Sequence, residues 1–156
     1  MCLQSLFPNR SQLSSGGWTA GRLGMNMMQP EPHIALIVED DPDIRELATA
    51  LLEETVLDVM QVDSAEAALS CLQDRGGEVA MIFADICLPG TMDGVQLARA
   101  TCTLWPTIRI VLTSGATIDG LDELPDCVTF IPKPWRGLDV LVEADKAVRE
   151  PQPPVV

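Results

Sequence analysis

Ile34-Ala35-Leu36-Ile37-Val38 is an unbroken apolar run that stops at Glu39-Asp40-Asp41-Pro42. Five aliphatic residues without polar alternation describe a strand buried on both faces, as in a parallel sheet covered on its two sides. The next residues have the marks of a helix start. Asp40 or Asp41 can cap it, Pro42 suits its first turn, and Ile44, Leu47, Ala48, Leu51 and Leu52 recur on one helical face. The alternation then repeats. Leu57 to Val62 reads as a second strand, and Ser64 caps a helix carrying Ala65, Ala68, Leu69 and Leu72 that Gly76-Gly77 ends. Val79 to Ala84 is a third strand, followed by a long loop through Pro89-Gly90 and a helix from Gly94 to Leu104 closed by Pro106. Ile108 to Leu112 is a fourth strand. Thr117 to Leu124 is at most a short helix, interrupted by Gly120 and ended by Pro125. Cys127 to Ile131 is the fifth strand, and a last helix runs from Trp135 to Arg149.

Five strands alternating with helices predict an α/β fold: a doubly wound, five-stranded parallel sheet of (βα)5 type with right-handed crossovers. The flavodoxin-like order 2-1-3-4-5 is the natural choice, with its site beyond the carboxyl ends of the strands. A length of 156 residues suits one domain, here spanning 33–149. Residues 1–32, rich in Gly, Ser and Asn and lacking a hydrophobic period, read as a disordered extension. Met25, Met27 and Met28 are alternative starts just before the domain. Residues 150–156 read as a short proline-rich tail with no output domain behind it.

Composition narrows the function. There are 23 acidic against 10 basic side chains, a net charge of −13, and Arg10, Arg22 and Glu31 leave the extension slightly positive, so the acidity belongs to the domain. Such a surface cannot neutralise nucleic-acid phosphates, and the longest apolar runs are far short of the roughly 20 residues that span a bilayer. Neither nucleic acid nor membrane is an expected partner. Five cysteines (Cys2, Cys71, Cys87, Cys102 and Cys127) form an odd set without CxxC spacing, which suits neither a disulfide framework nor a zinc site. The expectation is a reduced, cytoplasmic protein.

Chemistry-bearing residues appear where strands stop. The first strand runs into Glu39-Asp40-Asp41, the third into Asp85, the fourth into Thr113 and the fifth into Lys133. Each alone has an ordinary explanation: a helix cap for Asp41, a turn for Asp85 or for Thr113-Ser114-Gly115, a solvated charge for Lys133. Together, at one rim of one sheet, carboxylates that repel one another call for a cation between them, and Mg2+ is the hard ion such oxygens hold. A lysine and a hydroxyl beside them suit a phosphoryl group. The set describes phosphoryl transfer to an aspartate.

These residues resemble a known family. Leu36-Ile37-Val38-Glu39-Asp40-Asp41-Pro42, Phe83-Ala84-Asp85-Ile86-Cys87-Leu88-Pro89-Gly90 with Met92-Asp93-Gly94, Val111-Leu112-Thr113-Ser114-Gly115 and Phe130-Ile131-Pro132-Lys133-Pro134-Trp135 are similar to the receiver domains of two-component response regulators. The resemblance implies that Asp85 accepts a phosphoryl group from a histidine kinase, or from a hybrid kinase or phosphotransfer protein. It implies that Glu39, Asp40 and Asp85, with the backbone carbonyl of Cys87, hold Mg2+, and that Thr113 and Lys133 meet the phosphoryl oxygens. Thr113 and Phe130 would form the switch, and Lys133-Pro134 would be a cis peptide that aims Lys133 into the site. A loop one residue longer than the usual form and a poor fourth helix resemble receivers found alone or attached to hybrid kinases.

The resulting expectation is a single-domain receiver in a Mg2+-dependent phosphorelay, switching contacts with a downstream protein that the sequence does not name. It would be no enzyme beyond its own phosphorylation and dephosphorylation. A pseudo-receiver acting by protein contact alone is the alternative. An aspartyl phosphatase would need a second acid in a DxD pattern, which Asp85-Ile86-Cys87 lacks. A flavin or nucleotide binder would need a Gly/Ser-rich cradle where the loop is acidic.

Overall fold

The computed structural model describes residues 31–117 and 119–151. Most of the expected extension, 1–32, and of the expected tail, 150–156, lies outside the described residues. Five strands form one parallel sheet in the order β2-β1-β3-β4-β5: β1 (Ile34–Val38), β2 (Asp58–Val62), β3 (Val79–Asp85), β4 (Arg109–Ser114) and β5 (Val128–Pro132). Four α-helices connect and cover them: α1 (Pro42–Leu52), α2 (Ala65–Arg75), α3 (Gly94–Leu104) and α4 (Gly137–Arg149). This is the expected flavodoxin-like architecture.

Local chemistry places the helices. The Asp41 carboxylate accepts from the amides of Asp43 and Ile44 at the start of α1, and Ser64 Oγ accepts from Ala67 N at the start of α2. Asp93 and Gln96 form a reciprocal capping box on α3; each such cap contributes about 1 kcal/mol. β1 and β3 are buried along their whole length. Alternation along β1 then divides the core. Ala35 and Ile37 pack with Ala48 and Leu52 of α1 and Val140, Ala144 and Ala147 of α4, so Ile34, Leu36 and Val38 serve the opposite face, against α2. Truncating a fully buried residue such as Ile37 to Ala costs about 2–5 kcal/mol.

One expectation is met at its lower limit and another is corrected. The fourth helical segment is only a single 3-10 turn, Leu121–Glu123. Gly120 sits at φ +91 and Pro125 follows closely, so no second turn can propagate. The cysteines also do more than the expected reduced set. Cys102, in the last turn of α3, and Cys127, just before β5, form a disulfide with Cα atoms 6.7 Å apart. Their separation of 25 residues hides the proximity. It arises because α3 packs on β4, and β4 pairs with β5.

Candidate functional site

The sheet brings the strand-end residues to one rim. Asp85 is the last residue of β3 and is paired in register with Thr113 of β4, whose other partner is Ile131 of β5. Backbone ties continue past the sheet: Ile86 N donates to Thr113 O, and Lys133 N donates to Ser114 O, both at 2.9 Å. Lys133 therefore leaves β5 directed at the neighbouring strand ends, with a cis peptide to Pro134 after it.

Its ammonium joins two carboxylates. Lys133 Nζ donates to Asp85 Oδ2 at 2.8 Å and to Glu39 Oε2 at 3.1 Å. Asp85 Oδ1 accepts from Cys87 N at 3.0 Å, and Glu39 Oε1 accepts from Asp41 N at 3.1 Å. Glu39 and Asp85 are buried, whereas Asp40 is exposed beside them, and carboxylate oxygens of the three lie within 4.8 Å of one another.

The electrostatics follow from that crowding. Burial pushes the Glu39 carboxyl above its ordinary range; the Asp41 amide and Lys133 pull the other way without overcoming it, and Asp85 adds to the rise. Burial also works against the Lys133 charge, but its hydrogen bonds to Asp85 and Glu39 outweigh that and hold its pKa above the usual value. Three carboxylates facing one ammonium leave the rim short of positive charge. A hard divalent cation with oxygen ligands fits that deficit.

Thr113 completes the rim from below. It has no exposed surface, and its Oγ1 is buried without a hydrogen-bond partner among the described residues. Buried hydroxyls are seldom left this way, because the lost water costs about 1–3 kcal/mol. Phe130 of β5 is paired in register with Leu112, the residue before Thr113. It lines a groove of about 280 Å³ with Pro132, Asp139, Val142 and Glu143, between β5 and α4.

The family model for the response regulator receiver domain matches residues 35–144. The chain belongs to this family. Among relatives, this receiver domain is 28% identical over 114 residues to the response regulator receiver protein CpdR of Brucella abortus, covering 71% of this chain and 92% of that protein. It is 33% identical to the transcriptional regulatory protein AruR of Pseudomonas aeruginosa, across 73% of this chain but 48% of AruR. It is 31% identical to the sensor kinase CckA of Brucella abortus, across 75% of this chain and 12% of CckA. In structure it resembles a response regulator receiver protein from Sinorhizobium medicae, with a TM-score of 0.69 at 21% identity, covering 77% and 97% of the two chains. Among the described residues of this receiver domain, no helix is long and apolar enough to cross a membrane.

One contact at the rim escaped the sequence reading. Glu66 Oε1, from the first turn of α2, accepts from Thr91 N at 2.8 Å, Thr91 Oγ1 at 3.0 Å and Met92 N at 3.0 Å. Its own backbone amide and Thr91 hold the carboxyl below the ordinary range. From sequence alone Glu66 has only the signature of an acid at a helix start.

Proposed function

We propose that this receiver domain is a phosphorylation switch in which Asp85 is the phosphoacceptor. The observation that carries the reading is the Thr113 hydroxyl, without a partner among the described residues and buried in register with Asp85 while Lys133 and three carboxylates gather at the same rim. An Asp85 oxygen attacks the phosphorus of a phosphohistidine, the P–N bond breaks, and the imidazole leaves. Glu39, Asp40 and Asp85, with the Cys87 carbonyl, would hold Mg2+, which shields the approaching phosphoryl charge from the acids.

Lys133 is already poised at Asp85 Oδ2 and exchanges its pairing to a phosphoryl oxygen. Thr113 gains in the phosphorylated state the hydrogen bond it lacks at rest, which biases the rim toward a second arrangement that Phe130 reports to the groove beside α4. The complete set of acids, lysine and threonine supports this reading over a module acting by contact alone. The phosphodonor is a histidine kinase, hybrid kinase or phosphotransfer protein in the cytoplasm, and the output is a changed protein contact. There the Cys102–Cys127 bond would exchange with the thiol pool. The protein turns over nothing but its own phosphoryl group. Acetyl phosphate with Mg2+ should label it once, and Asp85→Asn should abolish the label; persistent labelling of that variant would refute the assignment.

A further inference from the structure

The segment after Asp85 makes a long excursion before α3 begins. Its neck is closed by backbone, where Gly94 N donates to Ile86 O at 2.9 Å. Cys87, just past the neck, sends its amide to Asp85 Oδ1. The crown, Pro89-Gly90-Thr91-Met92, lies beyond the reach of these ties, and a longer loop costs more entropy to order. Three donors of that crown converge on one oxygen of Glu66. The approach also depends on Gly90. It sits at φ +95, and a Cβ there would come within 2.7 Å of Glu66 Oε1 and 2.9 Å of Oε2. Glu66 can serve as a fixed anchor because Ala65 and Ala68, on either side of it along α2, are fully buried.

We propose that Glu66 is a positioning residue: by holding the crown of the loop between β3 and α3 it fixes where Cys87 stands beside Asp85. For the metal-binding consequence, this rests on the function proposed above. If Cys87 contributes a carbonyl to the cation, a loosened crown weakens the cation without removing a ligand, as the loss of outer supports does in metal sites generally.

The test compares Glu66→Ala with Glu66→Gln in the full chain, by two readouts that need no phosphodonor. Among the described residues Cys87 carries an exposed thiol and Cys71 is buried, so with Cys2→Ser introduced into every variant a thiol reagent reports the Cys87 environment. Calorimetry with MgCl2 reports cation affinity. Glu66→Ala should change the Cys87 reaction rate several-fold, by roughly the factors that outer supports command, and weaken Mg2+ by about tenfold. Glu66→Gln keeps a carbonyl oxygen to accept the same donors, so it should recover most of both effects. A native Cys87 rate in Glu66→Ala overturns the proposal, and so does equal damage from both substitutions. Should the unaltered protein bind no Mg2+, the metal assignment fails while the Cys87 comparison still decides the role of Glu66.

Discussion

Two threonines in this domain have no exposed surface, and their hydroxyls differ in one respect. Thr101 Oγ1 donates to Leu97 O at 2.8 Å, whereas Thr113 Oγ1 has no partner among the described residues. Substitution by Val, which trades the hydroxyl for a methyl of similar size, should therefore have opposite effects at the two sites. At Thr113 it removes an unsatisfied buried group, whose desolvation costs about 1–3 kcal/mol. The added methyl is buried as well, at about 0.8 kcal/mol per carbon. Some of this gain is lost to imperfect fit, leaving a net stabilisation of about 1–2 kcal/mol. For a domain of this size that is about 4–8 °C in Tm. At Thr101 the same change deletes a made hydrogen bond and should destabilise by about 1 kcal/mol. Urea unfolding of both variants without Mg2+ measures the pair. Thr113→Val should be the more stable protein and yet show no conformational response to acetyl phosphate, since the group reserved for the phosphoryl oxygen is gone. If Thr113→Val is destabilised as much as Thr101→Val, the Thr113 hydroxyl is satisfied in solution and the reasoning fails.

Other perturbations bear on the frame of the site. Gly94→Ala would place a Cβ against the Asp85 carbonyl oxygen and 2.7 Å from Ile86 Cα, backbone that cannot rotate away, and should cost about 3 kcal/mol. Gly77→Ala meets nothing within 4 Å and should leave the unfolding midpoint unchanged or slightly raised. A melting comparison that ranks these two the other way would contradict the packing at the loop neck. Glu39 sets a pH dependence. Its carboxyl titrates above the unfolded value in the folded protein, so the folded state binds more protons in that window, and stability falls as pH rises from about 4.5 through the raised pKa. Glu39→Gln should flatten that part of the stability profile, and a profile unchanged by the substitution would show that Glu39 is not its source.

The frame and the rim were legible for the same reason. Glu39, Asp85, Thr113 and Lys133 each directly follow or end an apolar run, so once parallel pairing is inferred, a separation of 48 residues between Asp85 and Lys133 poses no obstacle. The contacts that escaped depend on tertiary adjacency that no run announces. Glu66 meets Thr91 from 25 residues away through the lie of one loop, and Cys102 meets Cys127 only because α3 and β5 both flank β4. The connection between β4 and β5 was legible only as an upper limit. Its apolar content allowed a short helix, and the left-handed Gly120 backbone limited it to one 3-10 turn.

Seen as a covalent graph, the Cys102–Cys127 bond turns a linear polymer into a ring with two arms. All of β4, and with it Thr113, lies inside the ring, while Glu39, Asp85 and Lys133 sit on the arms. Buffer choice therefore selects between two molecules of different connectivity. A preparation kept in dithiothreitol presents Thr113 on an open chain, and one kept without it presents Thr113 on a closed loop. On a denaturing gel without reductant the ringed form should run ahead of the open one, so one lane identifies which species an assay has measured.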